Sequence, residues 1–236
     1  MHIIVKFGDV IWKISELTLK ESPKMSFQED IQAYGEQPIN KQLLLDLLKD
    51  YKRPHDKIDE LVKQQMLIQI KRGLYIPGTR LNITPPEALL VANHLYGPSY
   101  ISLDTALSHW GLIPERVFEI SSVTTNNSKI YKTAMGRFSY AKMPLPYYSF
   151  GIQQVQLTKR QTVLMASKEK ALCDKIITTS GVLLRSVKQT LELLIEDFRI
   201  DETSLRTLET PTINSWLKDA PKQNSLATLV KTLKTL

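Results

Sequence analysis

The chain contains a single cysteine and no long apolar run, and each absence excludes a class of protein. Cys173 alone cannot form an internal disulfide, so the composition suits a reducing cytoplasm. No stretch approaches the roughly 18–20 apolar residues that cross a membrane. Residues 1–10 are apolar, but they lack a basic leader and a small-residue cleavage site, so no secretory signal is expected. We therefore expect a cytoplasmic protein with no membrane partner.

The common catalytic and nucleotide-binding motifs are missing as well. The sequence has no G-x-x-x-x-G-K-[ST], G-x-G-x-x-G, H-E-x-x-H or G-x-S-x-G pattern. His94 and His109 are interpreted as helix-surface or core residues, and one cysteine cannot supply a zinc site with the usual spacing. We expect no enzyme activity, no metal and no cofactor; an enzyme of unrecognised type would need a pocket around His94, His109 and Asp104.

Positive charge is in excess and is concentrated in one part of the chain. The formal net charge is +7 at pH 7 and the pI is near 9.3. Residues 41–80 carry nine Lys and Arg residues against five acids, whereas residues 1–40 carry four against six. Such a field attracts phosphate groups and accelerates association, although it specifies no sequence.

Residues Asn40–Pro77 have the order of elements that a winged helix-turn-helix requires. Asn40 can cap a first helix with an apolar stripe of leucines. Pro54 ends that helix and suits the first turn of the next one. Two short strands then flank Lys71-Arg72-Gly73, a basic turn whose glycine can adopt positive φ. The predicted elements are helices at 41–51 and 54–65 and strands at 67–70 and 74–76.

This pattern predicts a surface for duplex DNA, with the second helix in a major groove and the basic turn on the backbone or an adjacent groove. The predicted DNA-binding residues are Lys52, Arg53, His55, Lys57, Lys63, Gln64, Lys71 and Arg72. Asp56, Asp59 and Glu60 lie on or near the same helix and repel phosphate, so direct base readout is expected to be sparse. The alternative is a small scaffold that serves protein contacts only.

The whole chain is predicted to be an α+β protein. The N-terminal extension comprises residues 1–39, in which Met25 could be the true start, and the winged helix comprises 40–80. A mixed α/β domain with a small antiparallel sheet is expected at 81–180, followed by a helical C-terminal region at 181–236.

Two clusters in the mixed domain resemble functional sites, and each has a simpler interpretation. Glu169, Lys170 and Asp174 recur at helical spacing and are predicted to form a solvated face with i,i+4 pairing. Cys173 on the same helix is predicted to be a small core residue. Aromatic residues that could stack on single-stranded bases are instead expected in the core or at a protein interface; they are Tyr140, Tyr147, Tyr148 and Phe150.

Three segments resemble the AbiEi-type antitoxins of bacterial type IV, or abortive-infection AbiE, toxin–antitoxin systems. The segment Ile58–Tyr75 is similar to the end of the family's N-terminal winged helix. Tyr100–Leu112 is similar to a family segment with the order tyrosine–x–serine, alanine–leucine and glycine–leucine. Ser167–Asp174 resembles a Glu-x-Ala-Leu-x-Asp-like helix, so that the resemblance covers about Asn40–Ile177.

The resemblance implies a DNA-binding transcriptional autorepressor that acts on its own operon. It also implies an antitoxin that counteracts a nucleotidyltransferase-like toxin encoded in the same operon, without any need for direct binding. The expected partners are therefore double-stranded operator DNA and, functionally, that toxin, with a homodimer as one arrangement for binding two half-sites. The alternative is a protein-interaction antitoxin whose winged helix does not bind DNA.

Overall fold

The structure is a computed structural model of the 236-residue chain, and it describes residues 27–114 and 117–236. The described residues form a mixed α/β fold with two sheets, one of three strands and one of six. Most of the predicted extension at 1–39, including Met25, lies outside the described residues. We call residues 27–83 the N-terminal unit and residues 84–236 the large unit.

The N-terminal unit is built from three α-helices, three short strands and a 3₁₀ turn at Thr79–Leu81. Its elements are α1 (Phe27–Gln32), β1 (Ile39–Asn40), α2 (Lys41–Leu47), α3 (Pro54–Lys63), β2 (Leu67–Lys71) and β3 (Leu74–Pro77). The Asn40 side chain accepts a hydrogen bond from the Leu43 amide at 2.8 Å, as the predicted cap requires. Helix α2 ends at Leu47, earlier than predicted, and the chain continues in tight turns in which the Lys49 and Tyr51 amides donate to the carbonyls three residues before them.

Strand β3 lies between β1 and β2 in an antiparallel sheet. The β2–β3 register shifts between Gln69 and Lys71, so that Lys71 pairs with Leu74 and only Arg72 and Gly73 form the turn. Gly73 has a φ of 85°, which a side chain would disfavour.

The large unit contains a six-stranded sheet with helices packed on it. Its strands are β4 (Ser99–Ile101), β5 (Glu119–Thr124), β6 (Lys129–Thr133), β7 (Gly136–Lys142), β8 (Ile152–Gln156) and β9 (Thr162–Ala166). Its helices are α4 (Ala88–Leu95), α5 (Leu103–His109), α6 (Lys168–Thr178), α7 (Val187–Glu192), α8 (Glu202–Leu205), α9 (Thr210–Trp216) and α10 (Gln223–Leu233).

The prediction of a small antiparallel sheet in this unit is wrong. The strand order is β6-β7-β5-β4-β9-β8, and the β5–β7 and β4–β9 pairs are parallel. After β5, the chain first forms the edge strand β6. Strand β7 then returns between β6 and β5, antiparallel to β6 and parallel to β5. Periodicity identifies strands, but it does not specify which strands pair. The helical C-terminal region is present as α7 to α10, with a π-helical turn at Leu193–Asp197.

Two hydrophobic cores hold the described residues together. The smaller core lies inside the N-terminal unit, between its helices and sheet. The larger core lies on the six-stranded sheet, and it also includes Ile70, Leu74 and Ile76 from the β2–β3 hairpin. The hairpin is therefore packed against the large unit rather than held only by its own unit. Among the described helices, none has the length and apolar character needed to cross a membrane.

Candidate nucleic-acid interface

Helix α3 buries Ile58 and Leu61 and leaves most of its charged side chains exposed. His55 and Lys63 are exposed at the two ends of the helix, and Lys52 is exposed just before it. The helix begins at Pro54 without a side-chain cap. The first turn of a helix without a side-chain cap is a position at which an anion is favoured.

Glu60 engages two of the predicted DNA-binding side chains on α3. Lys57 Nζ and Gln64 Nε2 donate to the Glu60 Oε1 atom at 2.9 and 2.8 Å. The hydrogen bond from Lys57 lowers the pKa of the Glu60 carboxyl, which remains exposed to solvent. Lys57 also lies 5.5 Å from the centre of the Tyr51 ring. These two polar groups are therefore held along the helix surface by a neighbouring carboxylate.

At the start of α3, Arg53 and Asp56 form an ion pair at 3.6 Å, with side chains 79% and 68% exposed. Solvent screens a pair this exposed, so phosphate can compete for the guanidinium. Arg53 therefore remains accessible to an anion.

The two basic residues of the hairpin have different environments. Arg72 is exposed at the turn. Lys71 is half-buried, and its ammonium group donates to the backbone carbonyl of Leu95 at the end of α4. The C-terminus of a helix favours a cation there. Lys71 thus attaches the hairpin to the large unit, whereas Arg72 extends into solvent.

Basic residues of the large unit adjoin the point where Lys71 is attached. Tyr96 follows Leu95, and Lys129 on β6 lies 5.6 Å from the centre of its ring and 4.8 Å from that of Tyr131. On β7, Lys142 donates to the Asn127 side chain at 3.1 Å. Sequence reasoning did not identify these lysines because they lie far from the winged-helix pattern. The only signal was the basic excess of residues 81–160, seven Lys and Arg against four acids.

Helix α6 carries a buried cluster of charges, and the prediction that Glu169, Lys170 and Asp174 form a solvated face is wrong. Glu169 is 5% exposed and the other two are 0% exposed. The predicted i,i+4 pair is present, with 2.9 Å between Lys170 Nζ and Asp174 Oδ1. The face is buried because α6 follows directly from the inner strand β9 and packs against α5 and α9.

Hydroxyl groups and an aromatic ring complete the shell around this pair. Tyr100 and Ser102 donate to Asp174 Oδ2 at 2.9 and 2.8 Å. Lys170 Nζ donates to the Tyr147 backbone carbonyl at 3.0 Å and lies 3.4 Å from the centre of the Tyr147 ring. Burial lowers the pKa of the Lys170 ammonium and raises the pKa of the Asp174 carboxyl, although each partner opposes the other's shift.

The core interpretation of the aromatic cluster is confirmed for two of its members. Tyr140 and Tyr147 are 2% and 0% exposed, and the Tyr140 hydroxyl donates to the Ala92 carbonyl at 2.7 Å. Cys173 is also buried, as predicted. His94 and His109 are exposed on α4 and α5, as the helix-surface interpretation requires. In the described ranges, no group of three or more His, Cys, Asp or Glu residues could hold a metal ion.

Comparisons with known proteins identify a fold and no family. No family model matches the chain. No curated protein matches it either. Among solved structures, the chain is similar to the crystal structure of the RV2827C protein from Mycobacterium tuberculosis. The TM-score is 0.57 at 14% identity, over 87% of this chain and 75% of that one. At this identity the similarity is one of fold, and it carries no functional assignment.

Proposed function

We propose that residues 40–77 form a winged helix-turn-helix that binds double-stranded DNA, with α3 as the recognition helix and the β2–β3 hairpin as the wing. The main observation in support of this proposal is the order α2, α3, β2, β3, together with exposed basic side chains on α3 and on the hairpin turn. Basic groups at the ends of such a module contact phosphates and fix its orientation on the duplex.

The positions of the charges support backbone contacts more than base readout. Lys63 and Arg72 are exposed at the end of α3 and at the turn, whereas Glu60 holds Lys57 and Gln64 along the helix. We therefore expect affinity to come mainly from phosphate contacts, with strong salt dependence and few bidentate base contacts.

We further propose that the protein is a transcriptional autorepressor and antitoxin that counteracts a nucleotidyltransferase-like toxin encoded in the same operon. This role rests on the sequence resemblance to AbiEi-type antitoxins. As a dimer, two such modules would bind half-sites separated by one helical turn, about 34–36 Å. Growth rescue of cells that express the adjacent toxin gene tests the antitoxin role. Failure of the full chain to restore growth would contradict it.

A salt titration of binding to the duplex upstream of the gene tests the DNA role. The logarithm of the binding constant should fall linearly with the logarithm of salt concentration. Arg72→Ala and Lys63→Ala should each reduce the slope by about 0.9. Lys188→Ala is the matched control, because Lys188 is an exposed lysine on α7 of the large unit. Undetectable binding would reject the DNA role. So would a reduction of the salt slope in Lys188→Ala equal to that in Arg72→Ala and Lys63→Ala.

A protein-interaction antitoxin is the second candidate, and the packing of the hairpin favours it. Lys71 donates to the Leu95 carbonyl of the large unit, and three hairpin residues belong to the larger core. The hairpin therefore already packs against another part of the same chain. Copurification with the adjacent gene product, together with no shift of operator DNA, would support this candidate over the first.

A further inference from the structure

A cleft of about 480 Å³ lies between α4, the start of β4 and the β8–β9 hairpin, and we call it the α4–β9 cleft. Its lining residues include Asn93, His94, Ser99, Tyr148, Gln154 and Leu164. Its volume falls within the roughly 300–1,000 Å³ typical of small-molecule sites. None of the eight residues that the sequence predicts to contact DNA lines it, so it is a separate feature of the molecule.

The wall of the cleft combines apolar side chains with polar groups. It contains hydroxyl, amide, imidazole and phenol groups and no Asp, Glu, Lys or Arg. Partial desolvation of its ring lowers the pKa of His94, and burial raises the pKa of Tyr148, so both shifts favour the neutral form. A phosphate or carboxylate would find no cation among these lining residues to neutralise it.

Contacts within the protein hold two parts of this wall in place. The Asn93 side chain donates to the Leu164 carbonyl at 3.2 Å and accepts from the Leu164 amide at 2.8 Å. The Tyr148 ring packs against the buried Tyr100 ring, with 5.1 Å between centroids. These contacts hold the side chains of the wall in position in the protein without a ligand.

One buried polar group in the cleft wall has no partner. The Ser99 hydroxyl oxygen is buried and makes no hydrogen bond to the described residues, and Ser99 as a whole is 4% exposed. A buried hydroxyl without a partner is destabilising, and in native structures such a group usually bonds to a ligand or water.

We propose that the α4–β9 cleft binds a neutral nucleoside, with adenine as the preferred base. Tyr148 provides an aromatic ring on which a base can stack. The Gln154 amide offers one donor and one acceptor, the pair that complements the N7 and N6 groups of adenine. Rotation of the Ser99 side chain towards the ligand would give its hydroxyl a hydrogen-bond partner. The absence of Asp, Glu, Lys and Arg from the lining favours a nucleoside over a nucleotide.

Isothermal titration of the full chain with adenosine tests this assignment. Adenosine should bind with a dissociation constant below about 1 mM, and AMP should bind no more tightly. Tyr148→Ala and Gln154→Ala should each weaken adenosine binding by about tenfold, because stacking and a paired amide contact each contribute at this level. Gln156→Ala is the matched control; this exposed glutamine lies two positions along β8 and outside the cleft.

Four results would overturn the proposal. One is the absence of saturable adenosine binding in the folded wild-type chain. The second is equal loss of binding in Gln154→Ala and Gln156→Ala, and the third is tighter binding of AMP than of adenosine. The fourth is binding of adenine-containing single-stranded DNA without binding of free adenosine, which would assign the cleft to an unpaired base of a nucleic acid.

Discussion

Helices α3 and α6 carry the same types of charged residue at similar spacing, yet one is solvated and the other is buried. On α3, the Lys57 and Glu60 side chains of an ion pair are 23% and 48% exposed. On α6, both members of the Lys170–Asp174 pair are 0% exposed. Helical spacing therefore identifies which charges pair, and the position of the helix in the fold decides their environment.

That environment determines what each pair does. Solvent screens the α3 pair, so the pair contributes little to stability. The α6 pair is desolvated, and it depends on Tyr100 and Ser102 to satisfy the second carboxylate oxygen. We expect α3 to tolerate substitution and to affect binding, and α6 to affect stability.

The largest expected effect is the protection of the Cys173 thiol, which lies on α6 between the two members of the buried pair. Burial raises the pKa of this thiol, and its side chain is inaccessible. Labelling by a thiol reagent should be about 10³-fold slower in the native protein than in denaturant, because it requires opening of α6. Native labelling at the unfolded rate would show that α6 is not buried in solution.

Asp174→Ala should reduce the free energy of unfolding by about 3–5 kcal/mol, because it leaves the Lys170 ammonium buried without its carboxylate. Urea unfolding followed by circular dichroism measures this change. The corresponding variant on α3, Glu60→Ala, should leave the midpoint almost unchanged. Equal losses of stability in Asp174→Ala and Glu60→Ala would contradict the difference in environment between α6 and α3.

A double variant separates the loss of the pair from the loss of packing. Lys170→Met with Asp174→Asn keeps an acceptor for Tyr100 and Ser102 and removes both charges. It should recover more than half of the stability lost in Asp174→Ala, since replacement of a buried pair is often close to neutral. A double variant as unstable as the single one would assign the loss to packing.

Local elements of the N-terminal unit could be predicted from the sequence because their signals are local. Asn40 caps α2, Pro54 begins α3, and Gly73 adopts positive φ in the hairpin turn. Each of these depends on the conformational preference of one residue or its neighbours.

The large unit was predicted less well because its organisation depends on distant pairings. The parallel β5–β7 and β4–β9 pairs follow from the strand order, which periodicity does not specify. The burial of Lys170 depends on contacts with residues more than twenty positions away, such as the Tyr147 carbonyl. The attachment of Lys71 to Leu95 is likewise a contact between units, and no residue near Lys71 indicates it.

Lys71 and Arg72 are neighbours in sequence, but Lys71 is half-buried against the large unit and Arg72 is exposed. Lys71→Met should lower stability by about 1 kcal/mol, because a charged hydrogen bond to the Leu95 carbonyl is lost from a half-buried site. It should change the salt slope of DNA binding very little. Arg72→Met, the matched control, should leave stability unchanged and reduce that slope by about 0.9. A slope reduced equally by Lys71→Met would show that Lys71 also contacts phosphate.

The smallest expected effect concerns the carboxylate on α3. Glu60→Gln removes the negative charge but keeps a side-chain acceptor for Lys57 and Gln64. If α3 approaches DNA, affinity for the duplex should rise by up to about fivefold at low salt, and the gain should shrink as salt screens the charge. Glu192→Gln, an exposed substitution on α7, changes the net charge identically. An equal rise in both variants would reflect net charge alone and would place α3 away from the DNA.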